Sequence, residues 1–346
     1  MTPRENFLFN VPFTQVWFRL KHGVPQKLSA LRKQAFHRLQ WAVTPARYDL
    51  VFVICEGNKG WILDALCKEI ATYFPGKCHF HYSEAFLPPA KAYFFSHYSL
   101  YPSGLAQNPQ IAQAKLLVFY THKKSIGMSE SALIAALNQA TTTIFVNSRS
   151  CNELRAAGLE PAKSTYILQA ADPDLFQPHE RVNGAVGFCT AYYERKDPDR
   201  IFEIIKAMPH RQFILLGRNW QQYDRFEELR NLANFKYVEA PYRDYPMYYA
   251  QMDVFVSPSR LEGGPIPVIE AMMCNIFPVV SNTGHNPDLI NSGENGFIFD
   301  TDASIDTICE LIDRAFTMTT NVRKTVEHLS WKNFSLAVQA LLQPTK

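Results

Sequence analysis

The stretch LVFVIC, residues 50–55, decides the fold class of this chain. Six apolar residues stand in a row, without the alternation of apolar and polar residues that marks a strand with one face in water. This pattern predicts a strand buried on both faces. Gly57 and Gly60 follow at once, and the helical pattern WILDALCKEIATYF (61–74) comes next. A buried strand, a glycine-containing loop and a helix in this order are typical of parallel βαβ structure.

The same order recurs along the chain in two series. Apolar runs lie at 92–97, 115–122 and 142–148 in the first, and at 185–191, 212–217, 235–240, 253–258 and 277–282 in the second. ADPDLFQPHE (171–180) separates them and has the composition of a linker. We therefore expect an α/β protein with two domains, 1–175 and 176–330, and a ligand in the cleft between them. The sequence identifies no packing partner for the predicted C-terminal helix within 331–346.

Length, charge and cysteine usage narrow the class of protein. A chain of 346 residues exceeds the usual size of one domain, and its net charge of +3 is too small to predict nucleic acid binding. The seven cysteines are scattered and form no C-x-x-C pair, which favours reduced thiols over disulfides or a zinc site. Polar residues interrupt any early apolar run, so we expect no secretory signal and a cytoplasmic protein.

The N-terminal extension, residues 1–46, is basic. No acidic residue lies between Thr14 and Tyr48, and KLSALRKQAFHRLQWA (27–42) places its apolar residues on one helical stripe. Two interpretations stay open. Such a helix can lie peripherally on the inner face of an anionic cytoplasmic membrane, or it can pack on the first domain with a solvated basic face.

A turn in the second series has the chemistry of an anion site. In LEGGPIPVIE (261–270), Pro267 suits the first turn of a helix, and two carboxylates, Glu262 and Glu270, flank the turn. The first amides of a helix lack intrahelical partners and carry partial positive charge. The candidate donors are the backbone N–H groups of Gly263, Gly264, Ile266 and Val268.

The longer segment SPSRLEGGPIPVIEAMMCNIFPVVSNTGHNPDLINSGENGFIFD (257–300) resembles the signature of glycosyltransferase family 4. Members of this family are retaining enzymes with two facing Rossmann-like domains, the GT-B architecture, and generally work without a bound metal. The resemblance implies that the turn amides hold the diphosphate of a nucleotide-sugar. It further implies that Glu270 binds the ribose diol and that Glu262 lies near the transferred sugar.

A basic pair follows the first strand of the second domain, in FCTAYYERKDPDR (188–200). Lys196 matches the family lysine that binds phosphate, and Arg195 resembles an Arg-Lys variant of the motif. The commoner family arginine is absent, because Thr190 or Ala191 stands at its position. Asp197 replaces the usual glycine. These departures are the best support for a catalytically silent binding protein.

Three features of the first domain are candidates for the acceptor side. His122, at the end of KLLVFYTH (115–122), resembles the family histidine beside the transferred sugar, and His97 ends AYFFSH (92–97). The loop between Gly57 and Gly60 resembles the family's first glycine loop, which approaches phosphate or acceptor. We assign D-P-D (172–174 and 197–199) to turns and expect no metal at H-F-H (79–81).

Together these features predict a retaining hexosyltransferase that needs no cofactor beyond its nucleotide-sugar, with UDP-glucose as the default donor. The expected acceptor is a hydroxyl of a polysaccharide, a glycolipid or a lipid-linked glycan. The alternatives are a GDP-sugar transferase, a nucleotide-sugar hydrolase or epimerase, and a catalytically silent sugar-nucleotide-binding or scaffold protein.

Overall fold

The computed structural model describes residues 41, 45–182 and 184–343. Both interpretations of the basic extension therefore concern residues that lie almost entirely outside the described part. Trp41 is described, and its indole Nε1 donates a hydrogen bond of 2.9 Å to the Leu87 carbonyl of the first domain. Its ring also stacks on Tyr93, with 6.3 Å between ring centroids.

The N-terminal sheet is parallel and has the strand order β2-β1-β3-β4-β5-β6. Its central strands are buried on both faces, as the apolar runs predict. The strands are β1 (Leu50–Val53), β2 (Cys78–His81), β3 (Ala92–Phe95), β4 (Lys115–Tyr120), β5 (Thr142–Phe145) and β6 (Ser164–Tyr166). The helices of this domain are α1 (Ile62–Thr72), α2 (Leu100–Gln107), α3 (Glu130–Leu137) and α4 (Ser148–Ala156).

The C-terminal sheet is also parallel and has the order β12-β11-β10-β7-β8-β9, which is the Rossmann order. Its strands are β7 (Ala185–Cys189), β8 (Phe213–Leu216), β9 (Phe235–Val238), β10 (Met252–Ser257), β11 (Phe277–Ser281) and β12 (Phe297–Phe299). The helices are α5 (Pro198–Ala207), α6 (Phe226–Arg230), α7 (Tyr245–Tyr249), α8 (Ile266–Met273), α9 (Asn286–Leu289) and α10 (Ile305–Ala315). The predicted α/β class with two Rossmann-like sheets is confirmed.

Each sheet has one point at which the strand order reverses, and ligands of open α/β sheets bind outside the carboxyl ends of the strands there. In the N-terminal sheet this point lies between β1 and β3, whose following loops carry Gly57–Gly60 and His97. In the C-terminal sheet it lies between β7 and β10, whose loops carry Lys196 and Glu262. These predicted site residues therefore stand at the points where ligands of open α/β sheets bind, whereas His122 follows β4, outside the reversal point.

The final helix, α11 (Trp331–Leu342), returns to the N-terminal domain. Phe334 packs edge-on against Phe119 of β4, with 6.3 Å between ring centroids, and the Ser335 hydroxyl donates to the Ile70 carbonyl at 2.9 Å. This contact supplies the packing partner that the sequence left open. In the part of the chain that the structure describes, no helix is long and apolar enough to cross a membrane.

Candidate functional site

The turn before α8 is clamped between the two domains. A Cβ on Gly263 would lie 2.2 Å from the Thr121 carbonyl oxygen, and one on Gly264 would lie 2.8 Å from Cγ of Gln169. Asn147, which caps α4, also donates from Nδ2 to the Gly263 carbonyl at 3.0 Å. Glycines in such a turn can also allow a ligand to approach the backbone closely. The structure shows that the facing domain itself takes this space.

Not every predicted amide donor of the turn is available to an anion. The Val268 N–H donates to the Pro265 carbonyl at 3.0 Å, because Pro265 is the N-cap of α8 and its carbonyl starts the helix. The amides of Gly263, Gly264 and Ile266 remain as candidates. A small pocket adjoins the turn and is lined by Lys196 and by the ends of β7 and β10.

Glu262 is buried and pairs with both members of the basic pair. Its Oε2 accepts from Arg195 at 2.9 Å, and its Oε1 accepts from the ammonium of Lys196. Burial by itself raises the pKa of Glu262. The charges of Lys196 and Arg195 outweigh that effect and hold the pKa below its usual value. The site therefore brings together the three residues that the sequence assigned to sugar and phosphate.

Asp197, the departure from the family glycine, has a structural explanation. It lies in the left-handed region at φ 57°, a conformation that glycine adopts freely and that Asp tolerates better than most residues. Its buried carboxylate accepts from Arg260 at 2.8 Å and pairs with Arg200 at 3.2 Å. Two arginines thus neutralise this carboxylate beside Lys196.

Glu270 is also buried, but tyrosines hold it rather than cations. The Tyr242 hydroxyl donates to Oε1 at 2.6 Å and the Tyr249 hydroxyl to Oε2 at 2.9 Å. Burial raises the pKa of Glu270 to about 7, against the effect of the two hydrogen bonds, which lower it. Sequence reasoning missed both tyrosines, since 28 and 21 residues separate them from Glu270 and no motif marks them.

His122 follows β4 and faces the basic pair across the cleft. Burial lowers the pKa of His122, the Arg195 charge lowers it further, and the Glu262 charge partly restores it. A site on one domain thus acts electrostatically on a residue of the other. Because the pKa of His122 lies below its ordinary value, the imidazole ring is neutral at pH 7. A neutral ring has one donor and one acceptor nitrogen, so it can both donate to and accept from sugar hydroxyls.

His97 lies beside this site in a fixed orientation. Its Nδ1 accepts from the backbone N–H of Ser99 at 3.2 Å, and its ring stacks on Tyr98 at 4.5 Å. Burial lowers the pKa of His97 to about 4, helped by the nearby His122 and Lys124. With Nδ1 as the acceptor, the proton of the neutral ring sits on Nε2.

The glycine loop after β1 is anchored to its own helix. The Gly60 amide donates to Asp64 Oδ2 at 2.7 Å, and Gly60 has φ 78°, which glycine adopts without strain. That amide is therefore occupied by the protein. Gly57, in contrast, has nothing within 4 Å of where its Cβ would stand.

His285 lies beside the turn and was not predicted. It is fully buried in the loop after β11, and its Nδ1 is 3.1 Å from the position of a Cβ on Gly264. Burial lowers the pKa of His285 to about 4, although Glu262 and Asp288 raise it. Its place just beyond a predicted strand is the signal that could have found it.

The H-F-H and D-P-D segments, for which the sequence predicts no metal, have hydrogen-bonding and stacking partners within the protein. His79 stacks on Tyr48 with 4.6 Å between centroids, and His81 Nε2 bonds the Ala85 carbonyl at 2.9 Å. Asp172 accepts from the Asp174 amide at 2.8 Å, as a turn residue does. The described residues contain no group of three His, Cys, Asp or Glu side chains arranged for a metal.

The fold and its elements are shared with solved structures. Sucrose-phosphate synthase from Thermosynechococcus elongatus superposes with a TM-score of 0.69 at 17% identity, over 85% of this chain and 98% of that one. HepE from Anabaena, solved with UDP-glucose, gives 0.66 at 17% identity over 85% and 99%. The lipopolysaccharide outer core galactosyltransferase WaaB gives 0.62 at 14% identity over 84% and 99%. At these identities the likeness concerns the fold.

Sequence comparison matches the C-terminal domain to a known family. Residues 184–329, which contain β7 to β12 and the basic pair, match the model of the glycosyl transferases group 1. O-antigen chain mannosyltransferase B from Escherichia coli is 35% identical over 81 residues, which is 23% of this chain and only about a fifth (20%) of that relative. The C-terminal domain therefore matches the glycosyl transferases group 1, and the chain shares the two-sheet GT-B fold of the solved structures.

Proposed function

We propose that this protein is a retaining hexosyltransferase that moves a sugar from a nucleoside diphosphate to a hydroxyl of a polysaccharide, glycolipid or lipid-linked glycan. The observation that carries the proposal is the pairing of Arg195 and Lys196 with the buried Glu262 at the reversal point of the C-terminal sheet, where these charges act on His122. Residues 1–175 supply the acceptor side and residues 176–330 the donor side.

The donor diphosphate takes the place of Glu262 as the partner of the basic pair. Breaking the bond between sugar and phosphate leaves charge on the diphosphate, and fixed cations stabilise that charge. By analogy with oxyanion donors, each such group is worth about 3–4 kcal/mol in the transition state. Lys196 and the amides of Gly263, Gly264 and Ile266 provide these groups, with Arg195 at the more exposed edge.

Glu262, once released, lies beside the transferred sugar, where its acceptor oxygens suit sugar hydroxyls. His122 approaches the same sugar from the other domain. Attack on the face that the leaving group departs from, with the departing phosphate taking the acceptor's proton, requires no enzyme nucleophile. The departing phosphate then accepts the proton, and the basic pair and the turn amides stabilise the charge that develops on the diphosphate.

UDP-glucose is the first donor to test, because HepE, which shares the fold, was solved with it. A GDP-sugar is the second candidate, because the matched relative from Escherichia coli carries the name of a mannosyltransferase rather than a glucosyltransferase. Measuring nucleotide release with and without added acceptor separates the functions. Release that depends on acceptor supports transfer, release without acceptor supports a hydrolase, and binding without release supports a silent protein.

We further propose a cytoplasmic location with peripheral membrane contact through residues 1–46, since lipid-linked acceptors lie at membranes. Deleting these residues should lower retention on anionic liposomes more than it lowers nucleotide affinity. Equal retention of the truncated and full chains would contradict this part of the proposal.

A further inference from the structure

Each carboxylate oxygen of Glu270 accepts a hydrogen bond from a different tyrosine, and the two tyrosines differ in how deeply they are buried. Tyr249, on Oε2, is fully buried, and its hydroxyl also lies 3.4 Å from the Pro267 carbonyl. Tyr242, on Oε1, keeps 49% of its surface exposed while its hydroxyl reaches the buried carboxylate. Tyr249 is therefore part of the core, whereas Tyr242 lies at the surface and only its hydroxyl reaches the buried carboxylate.

The segment that carries Tyr242 is short and lies outside both sheets. It is a single turn of 3₁₀ helix, Tyr242–Asp244, between β9 and α7. The ring of Tyr242 packs edge-on against Phe176 at 5.9 Å and at a tilt against Tyr245 at 5.3 Å between centroids, and about half of its surface stays exposed. A change of side-chain rotamer can therefore withdraw the hydroxyl without unfolding an element of the domain.

A buried carboxyl group that gives up a donor without a replacement is destabilised, because an unsatisfied buried acceptor is costly. The ribose of a nucleotide has hydroxyls, which are the same kind of donor as a tyrosine hydroxyl. Glu262 shows the same pattern on the other side of the turn. There the donors that an incoming diphosphate would occupy, Arg195 and Lys196, are already bound to a carboxylate of the protein.

We propose that the Tyr242 hydroxyl stands in for a ribose hydroxyl of the donor on Glu270 Oε1 and is displaced when the nucleotide binds, while Tyr249 stays in place. This rests on the proposed function, because it takes Glu270 as the ribose-binding residue. Tyr242 then sets the affinity for the nucleotide. A binding nucleotide must displace the hydrogen bond from Tyr242 to form its own, so this position adds little net free energy of binding.

The test is calorimetric titration of the full chain with UDP and with GDP, for wild type, Tyr242→Phe and Tyr249→Phe. Thermal unfolding without nucleotide is measured beside it. Tyr242→Phe keeps the ring and its contacts and removes only the displaceable hydrogen bond. We expect about tenfold tighter binding of whichever nucleotide the wild type binds, since hydrogen bonds to charged groups are worth at least that factor. We also expect a lower unfolding temperature without nucleotide.

The opposite signs of these two effects are the signature of displacement. A purely structural role for Tyr242 predicts that stability and affinity fall together, as we expect for the buried control Tyr249→Phe. Unchanged or weaker nucleotide binding by Tyr242→Phe, with binding intact in the wild type, would overturn the inference alone. Absence of binding of both nucleotides by folded wild type would overturn the proposed function, and this inference with it.

Discussion

Lys196 and Glu262 lie 66 residues apart in the chain and form an ion pair at the mouth of the C-terminal sheet. They follow β7 and β10, the two strands between which the strand order reverses. Both side chains are largely buried, and Arg195 completes the cluster. In such an ion pair, an incoming anion can take the place of the carboxylate as the partner of the cation.

Removing Lys196 should affect stability and nucleotide binding in separable ways. Lys196→Ala leaves Glu262 buried with Arg195 as its remaining cation, and we expect a loss of about 1–3 kcal/mol in the free energy of unfolding. The double variant Lys196→Ala with Glu262→Gln should recover much of that stability but none of the nucleotide affinity. Urea unfolding and calorimetry measure the two quantities. Recovery of affinity in the double variant would contradict the phosphate role of Lys196.

The left-handed backbone at Asp197 gives a matched pair of variants. Asp197→Gly and Asp197→Ala both lose the contacts with Arg200 and Arg260, but only alanine is strained at φ 57°. We expect the alanine variant to be less stable than the glycine variant by about 1 kcal/mol. Equal unfolding free energies for the two would show that the backbone conformation costs nothing here.

The raised pKa of Glu270 predicts a pH dependence of stability in the nucleotide-free protein. Its folded pKa of about 7 lies above the ordinary 4.5, so its stabilising contribution is complete below pH 4.5 and is lost as the pH rises through about 7. The loss amounts to at most about 3–4 kcal/mol.

Other groups titrate in the same window with the opposite sign. The pKa values of His97 and His285 are lowered to about 4, so their contributions are complete above pH 6.5 and are lost as the pH falls toward 4. The measurement is therefore the difference in unfolding free energy between wild type and Glu270→Gln at pH 5, 6, 7 and 8. We expect this difference to change between pH 5 and pH 7 and to level off by pH 8, and a constant difference would show that Glu270 titrates normally.

The contact of Gly263 with the N-terminal domain predicts a variant that opens the molecule. A methyl group on Gly263 would meet the Thr121 carbonyl at 2.2 Å, so Gly263→Ala should force the domains apart. We expect a larger radius of gyration by small-angle X-ray scattering and a loss of turnover. Gly57→Ala is the control for the scattering measurement, because open space surrounds that position. Unchanged scattering and turnover for Gly263→Ala would show that the turn moves freely.

His122 should matter for turnover rather than for nucleotide binding. It belongs to the domain opposite the diphosphate cluster, and its ring is neutral at pH 7 because burial and Arg195 lower its pKa. We expect His122→Ala to reduce turnover about tenfold or more, the worth of a hydrogen bond to the sugar, and to leave the affinity for free UDP or GDP unchanged. Loss of nucleotide affinity without loss of turnover would place His122 elsewhere in the site.

Much of the fold follows from local sequence patterns. The apolar runs identify the central strands because those strands are buried on both faces, and LVFVIC ends within two residues of β1. The edge strands β6 and β12 have three residues each, too few to show a pattern. Whether α11 packs on the first or the second domain depends on contacts such as Phe334 with Phe119, more than 200 residues away, which no local pattern encodes.

The candidate site was predictable where it lies on a contiguous motif. Glu262, Glu270 and the turn between them could be found from spacing, and so could Lys196. The partners of Glu270 could not, because Tyr242 and Tyr249 reach it only through the fold of the β9–α7 segment. The close contact of the N-terminal domain with Gly263 likewise arises only when the two domains are packed together.

The most direct test of the proposed function is calorimetric titration of wild type with UDP and GDP, repeated for Lys196→Ala and Glu270→Ala. Lys206→Ala is the matched control, since Lys206 is an exposed lysine on α5, the helix that follows the basic pair. We expect one nucleotide to bind the wild type and the control equally, and both site variants more weakly. A folded wild type that binds neither nucleotide would contradict the assignment of this cleft to a nucleotide-sugar.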